Sequence, residues 1–384
     1  MGKKLRVGFV SVDDASSEKT WSGTPLNILS RLQSRSDVEV ELVSPLKTNL
    51  KWLYLPYKLQ EKITKKSFVW YVQPGSLRYF AKQIEAAVRE KKLDVVFSTS
   101  SIPGTFLDPS IPSVFWTDAV WHGMEGYYPG LFSNLSKAMS KAGRAQEEAS
   151  LRRAQYSCYS SAWAAKVAAT LTDPDRVKVL PYGPNLSYRS TRSDVETWVH
   201  SRQSLHPGHC TLLFTGKDWD RKGGHLAVET ARLLNDRGIK TTLRVVGCRP
   251  TGPLPPFVDT VGFIDKTTAE GKQAFAQVYQ TADIFILPTQ AEASAIVLPE
   301  AAAWGLPILT CDTGGLGDYV INDINGFRLP VTDTGLAFAQ KAELILNNYS
   351  RFAFASFDEY QSRLNWETSV DRLVELLHQA VTKV

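Results

Sequence analysis

Cysteine is scarce: the chain has four in 384 residues, Cys158, Cys210, Cys248 and Cys311, and none lie at C-x-x-C spacing. That scatter argues against a zinc site or a disulfide framework and fits a reducing compartment. No run of about 18 apolar residues is present to cross a bilayer. The opening stretch MGKKLRVGFVSVDD enters a strand pattern at once, without the long apolar core of a secretory leader, so a cytoplasmic setting is expected. Charge of one sign is not concentrated either. Lys and Arg number 44 against 39 Asp and Glu, a formal net charge of +5, with no dense basic stripe. Such a balance suits an anionic ligand or membrane surface and leaves nucleic acid out as a partner. The spacing of a P-loop is missing, and no G-x-G-x-x-G follows the first strand, which disfavours a dehydrogenase. Low-complexity segments and short repeats are also absent.

What remains is the composition of a soluble globular protein, 43% apolar and 22% charged, at a length that favours two domains. Short apolar runs alternate with longer helical patterns throughout. Six fall in the first half: LRVGFVSV, VEVELVS, LDVVFSTS, PSVFWTD, YSCYSS and VKVLPYG. Six more follow in the second: CTLLFTG, TTLRVVG, DTVGFI, ADIFILPT, LPILTCD and GFRLP. Near-continuous apolar strands separated by helices predict parallel sheets covered on both faces. Twelve strands exceed one comfortable open sheet, so the expectation is α/β, with two doubly wound domains and a cleft between them. A polar stretch supplies the linker. The expected division is a first domain over 1–190, a linker over 191–209, a second domain over 210–355 and a C-terminal helix over 356–384. In that helix Trp366, Val370, Leu373, Leu377 and Val381 share one face.

Ligands of doubly wound sheets bind beyond the carboxyl ends of the strands, and three loops in the second half are chemically loaded there. In FTGKDWDRKGGHLAVETARLL a strand ends at Gly216 and a helix begins after Gly223 and Gly224. Lys217 and Lys222 lie in the turn between them, beside the N–H groups of a helix start, which suits a phosphate or diphosphate. An ordinary charged turn fits the same residues. Asp218 and Asp220 imitate a metal-holding Asp-x-Asp, but Lys217, Arg221 and Lys222 surround them, and no metal is expected. In AEASAIVLPEAAAWGLPIL, Pro299 suits the first helical position, Glu300 the first turn and Gly305 the end cap. Backbone N–H groups of Ile296, Val297 and Leu298 are expected to face the ligand as a second anion cradle. Glu292 and Glu300 flank that loop as acceptors for paired sugar hydroxyls. Taken singly, each glutamate also reads as a solvated loop acid or a first-turn helix acid. In CDTGGLGDYV, Gly314 and Gly315 allow close backbone approach to a ligand or simply make a turn.

Together these loops resemble the signature of the family 4 retaining glycosyltransferases of GT-B fold. That signature sets two glutamates with seven residues between them, the second opening E-A-x-A-x-G-x-P; the chain reads EASAIVLPEAAAWGLP. The upstream G-R-x-x-x-x-K-G element is met by GKDWDRKGG, with Lys217 where arginine is usual. WSGTP, Trp21 to Pro25, resembles the glycine loop after the first strand. The resemblance implies two Rossmann-like domains facing each other across a cleft, with a C-terminal helix crossing back to the first. It implies a nucleotide diphosphate sugar as donor substrate, with no further cofactor. Lys217 and Lys222 would hold the diphosphate, Glu292 the donor sugar and Glu300 the ribose. Ser294, Ala295, Ile296, Val297 and Leu298 would cradle sugar and phosphate. Gly23, with Thr24 beside it, would let the first domain close on the donor. The family often presents a histidine after the fourth strand; here FWTDAVWHGMEGYYP leaves Asp118 or His122 for that place, with Trp121 as a further acceptor contact. A nucleotide-sugar epimerase on the same plan, or a catalytically silent nucleotide-sugar-binding protein, are the alternatives.

The acceptor would be a glycan or a lipid-linked molecule on the first domain. KWLYLPYKLQEKITKK, residues 51–66, carries five lysines against Glu61 and puts Trp52, Leu55, Leu59 and Ile63 close to one helical face. A basic amphipathic segment of this kind can lie on an anionic membrane; a helix packed on its own domain fits the pattern equally well.

Overall fold

The computed structural model describes residues 3–49, 54–205 and 208–382. The chain divides into two compact units, Met1–Pro181 with Trp366–Val384, and Tyr182–Asn365. All twelve apolar runs form strands. The first unit holds β1 (Leu5–Val10), β2 (Val38–Val43), β3 (Val95–Ser98), β4 (Ser113–Thr117), β5 (Tyr156–Tyr159) and β6 (Val177–Val179). They lie in the order β2-β1-β3-β4-β5-β6, every pair parallel. Val7 is in register with Val40 on one side and Val95 on the other. The helix Pro74–Lys91 buries Leu77, Phe80, Ala81 and Ile84, and the last three share a core with Val10 and Val96.

The last helix, Trp366–Thr382, packs in this first unit, against β4 and the helix Thr24–Gln33. Its apolar stripe explains why: Trp366, Val370, Leu373 and Leu377 are buried. The Trp366 ring meets Trp116 edge-on at 5.8 Å, and Ser369 Oγ donates to the Pro181 carbonyl at 2.6 Å.

The second unit holds β7 (His209–Thr215), β8 (Lys240–Val246), β9 (Val258–Gly262), β10 (Ile284–Leu287), β11 (Ile308–Cys311) and β12 (Gly326–Leu329). Their order is β12-β11-β10-β7-β8-β9, again parallel throughout. The chain leaves β7 toward β8 and β9, then returns to the other flank of β7 with β10. The strand order therefore reverses between β7 and β10, and the loops beyond their carboxyl ends flank that switch point, where open α/β sheets take ligands.

The stretch expected to be a linker is not extended. Arg192–Leu205 is a helix whose Val195 and Val199 enter the core of the second unit; His206 and Pro207 lie outside the described residues. Arg202 is the anchor. Its buried guanidinium donates to the carbonyls of Gln280 (3.0 Å), Tyr279 (3.1 Å), Trp304 (3.1 Å) and Gly305 (3.4 Å), and to the Tyr349 hydroxyl at 3.1 Å. Those carbonyls terminate the helices Ala269–Gln280 and Val297–Ala303, where the backbone lacks intrahelical donors. Polar composition alone gave no hint of this role. Residues 356–365 also stay with the second unit, because the helix Tyr349–Ser362 buries Phe352 and Phe357 there.

Candidate active site in the second unit

The loop after β7 is shaped by glycines. At Gly223, φ is +78° and an added Cβ would lie 2.0 Å from the Pro288 carbonyl oxygen. Only glycine permits both the left-handed turn and that approach. Gly223 caps the helix Gly224–Asp236, which buries Ala227, Thr230, Ala231 and Leu234 as its spacing predicts. At Gly216 the aliphatic chain of Lys222 crosses so closely that an added Cβ would stand 2.8 Å from Lys222 Cδ. Glycine here makes room for Lys222 to turn back over the end of β7.

Lys222 turns toward Glu292, on the loop after β10. Its ammonium pairs with Glu292 Oε1, and Arg221 Nη1 donates to the same oxygen at 2.9 Å. Arg221 Nη1 also donates to the Ala291 carbonyl at 2.7 Å, while its Nε lies 3.3 Å from Asp218 Oδ2. The backbone reinforces the join: Gln290 N–H and Thr289 Oγ1 both donate to the Arg221 carbonyl, at 2.9 and 3.2 Å. Gly315 N–H donates to the Glu292 carbonyl at 3.1 Å, so the Gly314–Gly315 turn buttresses the same loop. Glu292 is thus a buried carboxylate held by two cations at the switch point.

Lys217 behaves differently. It is exposed and makes no ion pair among the described residues. The structure brings Lys222 and Arg221 to Glu292, and Lys217, expected beside Lys222 on a diphosphate, does not join them. Asp218 and Asp220 diverge, the first toward Arg221 and the second toward His225 Nε2 at 3.2 Å.

The helix carrying Glu300 starts at Val297, two residues before Pro299, and Gly305 at φ +62° follows its end as expected. The anion cradle expected of Ile296, Val297 and Leu298 is incomplete, because Leu298 N–H is taken by the Ala295 carbonyl at 2.9 Å. Ala295 and Leu298 are buried in the core, and Ser294 Oγ is 2.8 Å from the Tyr319 hydroxyl. Glu300 is 1% exposed, and its Oε1 accepts from Lys266 Nζ at 2.9 Å. Burial pushes the Glu300 carboxyl above the usual range while Lys266 opposes the shift. Lys266 also reaches the Asn185 carbonyl at 3.2 Å. Sequence reasoning missed Lys266; its one signal is a position just past β9, beyond a strand end like the other loops.

In the first unit, Gly23 takes φ +89° and follows two residues, Trp21 and Ser22, that also have positive φ. Gly23 caps the helix Thr24–Gln33, and Thr24 is buried. Asp118 is half-buried in the turn after β4. His122 Nε2 lies 3.4 Å from Glu148 Oε1, and its Nδ1 is buried without a hydrogen-bond partner among the described residues. Trp121 is a core residue, packed edge-on against Phe132 at 5.1 Å and over Gly143, with its indole N–H on Glu125 at 2.7 Å. Its ring is therefore not open to a sugar. Beneath the turn, buried Glu147 accepts the Trp121 N–H at 3.2 Å, and desolvation lifts its carboxyl to about 7.

Residues 51–53, including Lys51 and Trp52, lie outside the described residues. Leu55–Thr64 is a helix with Pro56 in its first turn, so the proline starts the helix and does not break it. Leu55, Leu59 and Ile63 are exposed, the last by 74%, and Lys58, Lys62, Lys65 and Lys66 are exposed with them. The apolar ridge does not pack on its own domain. No described helix is long and apolar enough to cross a membrane.

Residues 209–348 match the family model described as Glycosyl transferases group 1. The span runs from β7 through both charged loops. The chain is family 4-like and of GT-B fold. It is similar to the D-inositol 3-phosphate glycosyltransferases of Corynebacterium efficiens, 26% identical over 225 residues, and of Rhodococcus erythropolis, 27% over 222 residues. Those alignments cover 55% and 54% of this chain, and the chain spans about half the length of these relatives, 52% and 49%. The GT-B fold extends over nearly all of it. Sucrose-phosphate synthase from Thermosynechococcus elongatus superposes with a TM-score of 0.68 at 16% identity, covering 99% of this chain and 100% of that one. HepE of Anabaena, solved with UDP-glucose, gives 0.62 at 16%, covering 98% and 100%.

Proposed function

We propose that this chain is a retaining glycosyltransferase that moves a hexose-like sugar from a nucleotide diphosphate sugar to a hydroxyl acceptor, in polysaccharide or glycolipid assembly. The observation that carries the reading is the meeting of Lys222 and Arg221 on Glu292 where β7 and β10 end side by side. Lys222 there meets the donor diphosphate, Glu292 takes donor-sugar hydroxyls, and Glu300 takes the ribose pair in exchange with Lys266. HepE of Anabaena, which shares the fold, was solved with UDP-glucose and with UDP, which supports the ligand class.

In the proposed reaction the bond from the anomeric carbon to the diphosphate oxygen breaks, and a bond to the acceptor oxygen forms on the same face. The acceptor proton leaves with the nucleoside diphosphate. Negative charge grows on the departing oxygen, and Lys222 with Lys217 supplies preorganised positive charge without a metal. Asp118 or His122 contacts sugar or acceptor on the first unit. A peripheral position on the inner membrane face, through the Leu55–Thr64 ridge, supplies a lipid-linked acceptor.

The test is acceptor-free hydrolysis across a panel of UDP-, GDP- and ADP-hexoses. The wild type should hydrolyse one member slowly, and Glu292→Ala should not. Donor binding without any turnover in either protein would instead leave a binding protein.

A further inference from the structure

The family pattern assigns Lys217 and Lys222 to the donor diphosphate and gives Arg221 no part. Lys217 is exposed and unpaired among the described residues, and the second cation on Glu292 is Arg221. We infer that Arg221 is the positioning residue for Glu292, fixing the carboxylate that grips the donor sugar. This rests on the transferase reading above.

Geometry supports a positioning role over a simple charge role. One nitrogen of Arg221 bridges the Ala291 carbonyl at 2.7 Å and Glu292 Oε1 at 2.9 Å, main chain and side chain of successive residues. A guanidinium is planar, so satisfying both acceptors sets the direction from which the carboxylate is held. A lysine ammonium on a flexible stem does not impose that plane. Asp218, at 3.3 Å from Arg221 Nε, restrains the guanidinium from the other side, within its own loop. Lys222 then approaches an oxygen whose place is already set. Glu292 sits in a water-poor site, where a misdirected carboxylate would lose hydroxyl acceptors that solvent cannot replace. The bonds from Gln290 N–H and Thr289 Oγ1 to the Arg221 carbonyl do not depend on the Arg221 side chain. Removing the guanidinium therefore frees the Glu292 side chain while the loops remain joined.

The experiment uses the full chain and the nucleotide hexose that the wild type hydrolyses in the panel. Arg221→Ala should lower kcat at least tenfold while the affinity for the matching nucleoside diphosphate changes less than threefold, because the sugar grip is lost and the diphosphate grip is kept. Arg221→Lys should fail to restore the rate. In a Glu292→Gln background, Arg221→Ala should cost less than twofold further, a coupling that plain destabilisation would not produce. Wild-type rates in Arg221→Ala or additive losses in the double variant would overturn the inference while the transferase reading stands. A wild type that neither hydrolyses nor binds any panel member would overturn both.

Discussion

Replacing Lys222 by alanine separates the chemistry of the site from its folding. The ammonium is buried against Glu292 Oε1, which keeps Arg221 Nη1 at 2.9 Å after the change. A charge pair at about 4 Å is worth roughly 4 kcal/mol before desolvation at an effective dielectric near 20. Burying both partners offsets most of that, and Arg221 remains to compensate the carboxylate, so the folding cost should be near 1 kcal/mol. For a domain of this size that is a fall in Tm of roughly 2–4 °C. In the proposed reaction Arg221 is no substitute, because negative charge grows on a diphosphate oxygen assigned to Lys222 and Lys217. Losing one preorganised donor to a developing oxyanion costs about 3 kcal/mol, a hundredfold or more in rate. Calorimetry and acceptor-free donor hydrolysis on the same preparation give both numbers. A rate within threefold of wild type would remove Lys222 from the mechanism; a Tm fall above roughly 10 °C would show that it holds the fold instead.

Three further outcomes follow from particular side chains. Arg202→Met should destabilise the second unit by about 3 kcal/mol or more, since four carbonyls and a hydroxyl lose a buried donor; a urea-melt change below about 1 kcal/mol would contradict this. Burial raises Glu147 from 4.5 to about 7, so its contribution is fully present below pH 4.5 and is lost as pH rises through 7, on the order of 3 kcal/mol in all. Glu147→Gln should flatten that decline between pH 5 and 8, and an unchanged slope would rule out Glu147 as its source. Lys62→Glu, Lys65→Glu and Lys66→Glu together should weaken binding to phosphatidylserine vesicles by about 1 kcal/mol per site while sparing donor hydrolysis. A wild type that never sediments with the vesicles would end the membrane proposal.

The sequence by itself determined the elements. All twelve strands are visible as apolar runs; in the central ones burial on both faces of a parallel sheet demands continuous hydrophobicity, a local property, while the edge strands β2, β6 and β9 are not fully buried. The left-handed turn at Gly223, the stop at Gly305 and the apolar stripe of Trp366–Thr382 were legible for the same reason: each reflects the steric or periodic character of a few consecutive residues. Glu292, Glu300 and Lys222 stood out through their places after strands. Tertiary structure decided which charges meet. Arg221 and Glu292, 71 residues apart, pair because β10 returns beside β7 and reverses the strand order; Lys266 and Glu300, 34 apart, pair although β7 and β8 lie between β9 and β10. Composition read 191–209 as a tether, yet Arg202 finds its acceptors at helix ends about 80 to 150 residues away. Spacing along the chain carries no record of such encounters, since a charged residue looks alike in a solvated turn and in a closed ion pair until its neighbours across the sheet are known.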